Sequence, residues 1–149
     1  MIGNIEIKEK LANSGRIIRV SRFANLVLDA LKPQACHLLA GDFGSTGDRK
    51  WIDRMQFGTG VAAEAVTDEF LSQPITPIKD VTPSYPYDGL VNDYYVRFTV
   101  YLQADEANGF PISEMGLLAQ DDTLVARKTF TPINKTVEYI IEFNWTLRS

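Results

Sequence analysis

From Val91 to Arg148 the chain alternates apolar and polar residues through four consecutive runs. In the last, Val137, Tyr139, Ile141, Phe143, Trp145 and Leu147 take every second position. Glu138, Glu142, Asn144, Thr146 and Arg148 lie between them, and Ile140 is the one apolar exception. Successive side chains of a strand point to opposite faces, so this run predicts a strand with one face in a core and one in water. Val96, Phe98, Val100 and Leu102 alternate with Arg97, Thr99, Tyr101 and Gln103 in the same way. Between these runs lie Ile112 to Gln120 and Thr123 to Phe130, separated by Asp121-Asp122. An acidic turn between two apolar runs predicts a hairpin, although no glycine is present to make a positive φ inexpensive. Together the four runs predict an antiparallel sheet whose apolar face needs a cover.

The earlier chain supplies candidates for that cover. Ser21 is placed as a helix N-cap, and Phe23, Leu26, Val27, Ala30 and Leu31 follow at the spacing of a helix with one buried face. Lys32 falls in the last turn and Pro33 ends the run, so the pattern predicts a helix over residues 21–32. Residues 1–20 are polar and weakly periodic, with a break at Asn13-Ser14-Gly15. They read as an extended or helical arm that lies against another chain. Ile52 to Phe57 predicts a strand stopped by Gly58-Thr59-Gly60, and Thr67 is placed to cap a short helical turn. From Gln73 to Asp93 the chain carries Pro74, Pro77, Pro83 and Pro86. Ile75, Ile78 and Val81 there fit only an edge strand. The remainder predicts a working loop, with Tyr85, Tyr87, Pro83, Pro86 and Asp88 as candidate partner contacts. The expectation is one domain of 149 residues. It is mainly β, an antiparallel sandwich-like unit with one N-terminal amphipathic helix, long loops and a β-rich core over residues 51–149.

Composition narrows the function. Hydrophobic residues make up 45% and charged residues 23%, as in an ordinary folded domain. A net charge of −4 lacks the basic footprint of nonspecific nucleic-acid binding. No apolar run approaches the roughly 18 residues of a membrane helix. Met1 to Lys10 has no signal-peptide core. The single cysteine, Cys36, excludes an internal disulfide, which fits a reducing compartment or a particle assembled in one. With one histidine, His37, there is neither a zinc ligand set nor a Ser-His-Asp arrangement. Gly41 to Lys50 looks like a phosphate loop but lacks Gly-Lys-Ser/Thr at the required spacing, and reads as an exposed connection. Among the carboxylates, Asp105 and Glu106 sit at the Asn108-Gly109 turn. Glu114 is different, because it interrupts an apolar strand and needs a partner if it points inward. Arg97 and Arg127 are the candidates, and a structural ion pair is the expectation. The residues therefore predict no enzyme, no cofactor and no metal.

One ordered set of motifs adds to this reading. Ile52-Asp53-Arg54-Met55-Gln56-Phe57-Gly58-Thr59-Gly60 is followed by Thr67 to Leu71, then Glu106-Ala107-Asn108-Gly109 leading into Ile112-Ser113-Glu114-Met115-Gly116-Leu117-Leu118. Leu124-Val125-Ala126-Arg127-Lys128-Thr129-Phe130 and a closing Phe143-Asn144-Trp145-Thr146-Leu147 complete it. Over residues 51–149 this order resembles a family of tailed-bacteriophage virion proteins, the small baseplate and tail-associated proteins and the attachment modules of tail-collar fibres. The resemblance implies a structural role in the virion, assembled in the host cytoplasm. The chain would bridge other virion proteins as a homo-oligomer within a symmetric assembly, without nucleic acid or membrane. It also implies that Gly58, Gly60, Gly109 and Gly116 fix turns and close strand approach, with Trp145 in the core. Asp121-Asp122 replaces the family's Asp-Gly, the proline-rich stretch is long, and no fibre shaft follows Ser149, which favours a self-contained tail or baseplate component. The rival readings are a head or neck decoration protein and a carbohydrate-binding β-sandwich that contacts the host surface.

Overall fold

The computed structural model describes residues 2–29, 51–84, 87–88 and 93–148. Among the described residues there are ten strands and no helix. In chain order they are β1 (Ile2–Leu11), β2 (Ile17–Val27), β3 (Ile52–Gly58), β4 (Pro74–Asp80) and β5 (Thr82–Ser84). Then come β6 (Tyr87–Asp88), β7 (Asp93–Leu102), β8 (Pro111–Ala119), β9 (Leu124–Asn134) and β10 (Tyr139–Arg148). The strand order is β4-β3-β8-β9-β2-β1-β10-β7-β5, antiparallel throughout, with β6 beside β7. Strand β2 belongs to two sheets. Residues 17–25 pair with β1, while Leu26 and Val27 pair with Arg127 and Ala126 of β9.

The two sheets share one apolar core. From the first come Ile5 and Ile7 of β1, Phe98, Val100 and Leu102 of β7, and Ile141, Phe143, Trp145 and Leu147 of β10. From the second come Met55 and Phe57 of β3, Met115 and Leu117 of β8, and Val125 of β9. Phe57 meets Phe143 across the core with ring centroids 4.6 Å apart. The alternation in the closing run places Ile141, Phe143 and Trp145 fully inside and leaves Tyr139 half-buried.

Four expectations are corrected. First, residues 21–27 of the predicted 21–32 helix are strand; Ala30, Leu31 and Lys32 lie outside the described residues. Phe23 sits opposite Ile5 of β1 and stacks on Phe130 of β9 at 5.9 Å. The window carries both a helical and a strand period, and pairing with two distant strands decides between them, which no local pattern contains. Second, residues 2–20 are not an arm apart from the domain: they form β1 and the start of β2. Strand β1 lies between β2 and β10 with Ile5 and Ile7 buried. Its polar look comes from Glu6, Lys8 and Lys10, the alternate positions of a strand with one wet face. Third, Gln73 to Asp93 is less loop than expected. The expected edge strand is β4 on β3, and where a loop is expected after it the chain crosses to the other sheet as β5 and β6 on β7. Fourth, the Thr67 segment is a turn at Val66–Thr67 rather than a helical one.

Candidate functional site: a buried charge cluster that clamps the 59–73 loop

Strand β8 has almost no exposed face. Met115, Leu117 and Ala119 enter the main core. The outward positions Glu114, Gly116 and Leu118 are covered by residues 59–73, which run between β3 and β4. The neck of this loop is tied by the Thr59 N–H donating to the Gln73 carbonyl at 2.9 Å. A segment of this length with joined ends is an Ω-loop, a form usually packed by its own side chains. Leu71 is the apolar anchor, buried with Leu28, Leu118 and Leu124.

The rest of the anchor is electrostatic. Glu114 is fully buried and Arg127, on β9 opposite Gly116, is 2% exposed. Glu114 Oε1 accepts the backbone N–H groups of Gly60 at 3.1 Å and Gln73 at 2.7 Å. Oε2 accepts the Ser72 N–H at 3.0 Å and Arg127 Nη2 at 3.0 Å. The guanidinium donates onward to the Asp68 carboxylate at 2.6 Å, the Ser72 hydroxyl at 2.8 Å and the Ala62 carbonyl at 3.0 Å. Ser113 Oγ donates to the Gly60 carbonyl at 2.7 Å. A second pair, Lys128 and Glu64 at 2.8 Å, fastens the loop's middle, and Glu64 also accepts from the Thr129 hydroxyl at 2.6 Å. Each buried charge has an opposite charge and a full set of hydrogen bonds, the condition under which ions persist in an interior.

The glycines follow from this close packing. A Cβ on Gly58 would strike the Glu114 carboxylate, and one on Gly60 would lie 2.5 Å from Glu114 Oε1 and 2.6 Å from Ser72 Cβ. On Gly116 it would meet Leu124 Cδ1 at 2.5 Å. Gly109 is placed for a different reason, a φ of +84° in the turn before β8. Gly60→Ala is therefore expected to loosen the clamp and lower the melting temperature, whereas Gly15→Ala, with open space around its Cβ position but a φ of +70°, is limited to local backbone strain.

Two carboxylates that fasten the loop, Glu64 and Asp68, titrate low. Burial pushes Glu64 up, but hydrogen bonds from Lys128 and Thr129 outweigh it and hold the group at about 2. Burial also opposes the Asp68 carboxylate, and the Ala65 N–H and Arg127 bring it below its ordinary value. A depressed folded-state pKa contributes stability above the unfolded value, 4.5 for Glu64, and loses it as pH falls through the folded value. Urea denaturation should thus show a midpoint that drops from about pH 4.5 down toward about pH 2, and Glu64→Gln should flatten that dependence. A wild-type midpoint independent of pH over this window would contradict the linkage.

Of the two arginines offered as partners for Glu114, Arg127 is the one brought to it. Arg97 lies on the other sheet, where its Nε donates to the Thr146 hydroxyl at 3.2 Å. Glu106 pairs with Lys79 at 2.7 Å, well away from Glu114, so the acidic residues do not converge. Pro83 is exposed on β5, and Tyr87 and Asp88 pair along β6 with Tyr94 and Asp93. Tyr85, Pro86, Cys36, His37 and the Gly41 to Lys50 segment lie outside the described residues. Sequence reasoning missed Lys135, which is 1% exposed and donates to Asn108 Oδ1 and the Thr136 carbonyl, each at 2.9 Å. A lone lysine after a strand gives no signal of burial. Among the described residues no group of His, Cys, Asp and Glu is arranged to hold a metal ion, and no helix is long and apolar enough to cross a membrane. Comparison with protein-family models, with curated proteins and with solved structures finds no match to this chain.

The clamp also presents something. Val61 and Phe70 are 78% and 77% exposed on a loop whose backbone is fastened at both ends and in the middle. Phe70, Ile78, Leu118 and Leu124 line a groove of about 290 Å³ together with Glu69 and Asp122.

Proposed function

We propose that this chain is a structural protein of a tailed-bacteriophage particle, a tail or baseplate component that bridges neighbouring virion proteins by protein–protein contact. One observation carries the binding role. Glu114, fully buried within strand β8, has both oxygens occupied by backbone N–H groups and Arg127, so its carboxylate holds a loop rather than facing a cleft. That loop offers Val61 and Phe70 to solvent on a rigid base, the arrangement of a preformed contact surface, because little ordering entropy remains to be lost on docking. The placement in a phage particle rests on the resemblance of residues 51–149. Its Ile112–Leu118 and Leu124–Phe130 motifs fall on the adjacent strands β8 and β9, in a sandwich-like arrangement of two sheets.

The experiment is particle incorporation of a Val61→Ser, Phe70→Ser variant. Surface truncations away from a cap or core change stability within about 0.5 kcal/mol, so the isolated chain should melt almost as wild type does. Purified particles should lack the variant chain. Incorporation at the wild-type level would overturn the assignment of this loop as the contact.

A further inference from the structure

The β1–β2 hairpin is another exposed apolar feature. Residues 13–20 are all exposed, and among them Ile17, Ile18 and Val20 are 47%, 46% and 38% exposed. Their neighbours are Arg16, Arg19 and Arg22; residues 11–22 hold these three cations and no carboxylate, in a chain whose net charge is −4. Arg19 and Arg22 pair with Glu9 and Glu6, yet their side chains remain 66% and 73% exposed. The groove under Phe70 has the opposite character. Its apolar wall is flanked by Glu69 and by Asp122, whose side chain is 77% exposed even while paired with Arg54. Of the carboxylates in residues 64–70, Glu64 and Asp68 are paired with Lys128 and Arg127 in the clamp, and Glu69 is the one at the groove.

These two features cannot meet within one molecule. The groove includes Leu124, two residues before Ala126, which pairs with Val27 at the far end of β2. The hairpin tip at Arg16 is the near end of the same strand, roughly 30 Å away at a rise of about 3.3 Å per residue.

We propose that a second copy of this chain fills the groove. The basic, apolar tip of its β1–β2 hairpin docks with Ile17 and Ile18 against Phe70, Ile78 and Leu118, and with Arg16 and Arg19 beside Glu69 and Asp122. The two halves are opposite in charge, matched in apolar character, and lie at opposite ends of the molecule. Such a contact is heterologous, so copies join head to tail and form a ring where the rotation closes. This names one partner for the loop surface proposed above and rests on the reading of that loop as a contact.

The test uses sedimentation of the full chain. Wild type should sediment above the monomer mass and return toward it at high salt, because the paired charges are exposed. A tip variant, Ile17→Ser with Arg19→Glu, and a groove variant, Glu69→Lys with Phe70→Ser, should each be monomeric. Mixed in equal amounts they should give a dimer and nothing larger, since each keeps one intact half. If the tip variant fails to fold, Arg16→Glu alone, at an exposed turn position, replaces it. A monomeric wild type at high concentration, or a mixture that stays monomeric, overturns the proposal. Either result leaves open contact of the loop with a different virion protein, which the particle-incorporation experiment decides separately.

Discussion

Replacing Arg127 by alanine is expected to destabilise the fold by about 3–5 kcal/mol, the usual cost of removing one partner from a buried ion pair. The guanidinium is 2% exposed and stands between the Glu114 and Asp68 carboxylates. Without it, two carboxylates remain with no cation at hydrogen-bond distance, and the carbonyl of Ala62 and hydroxyl of Ser72 lose their donor. Glu114→Gln should act in the same direction with a smaller effect. An amide still offers one acceptor oxygen, but its NH₂ group then faces either the loop's backbone N–H groups or Arg127. An apolar pair at both positions should not rescue the fold as it does for some buried ion pairs. The N–H groups of Gly60, Ser72 and Gln73 would be left without an acceptor, and each such loss costs about 1–3 kcal/mol where the group is buried. Equilibrium urea denaturation reads all three variants. A loss for Arg127→Ala no larger than about 1 kcal/mol, the value of a surface pair, would mean that the cluster does not clamp the loop. Hydrogen exchange of the Gly60 and Gln73 amides should rise in the same variant.

Trp145→Ala should cost about 3–5 kcal/mol by leaving a cavity between the sheets. Trp145 is fully buried on β10, opposite Ile5 of β1 and Phe98 of β7. Its indole Nε1 is buried without a hydrogen-bond partner, so part of the ring's benefit is offset by an unpaired donor. Trp145→Phe removes that donor along with some volume and should therefore cost distinctly less than Trp145→Ala. The denaturant midpoint measures both, with the slope checked to confirm an unchanged transition. Equal losses for the two replacements would contradict this account of the site.

The core-facing sides of β7 and β10 are legible because their period is local, whereas the burial of Glu142 and Thr146 on the polar side of β10, where a wet face is expected, is not. The alternation of Val96 to Leu102 and of Tyr139 to Leu147 states which side is buried without reference to any other element. Glu114 was legible by exception, as a carboxylate in an apolar run, and Arg127 as a cation on the following strand. The clamp itself was not. Besides the Asp68 carboxylate and the Ser72 hydroxyl, its remaining partners are backbone groups of Gly60, Ala62, Ser72 and Gln73, and a backbone group has no sequence signature. The N-terminal strands were misread because their burial depends on strands more than a hundred residues later, as with Ile5 opposite Trp145. Phe23, Leu26 and Val27 fit a helical face equally well, and the choice was made by pairing with β1 and β9. In the proline-rich stretch the edge strand is legible, because prolines forbid a central strand but not an edge, which is where β4 lies; the pairing of β5 and β6 with β7 has no local signal.

The most direct measurement for the structural role is site-specific cross-linking in intact particles. A photo-reactive residue placed at position 70, on the clamped loop, should yield a covalent adduct with another chain of the particle, and mass spectrometry should identify that chain as a virion protein or a second copy of this one. Purified particles that contain no trace of this chain, or that contain it with position 70 unreactive toward every neighbour, would contradict a bridging role for the loop.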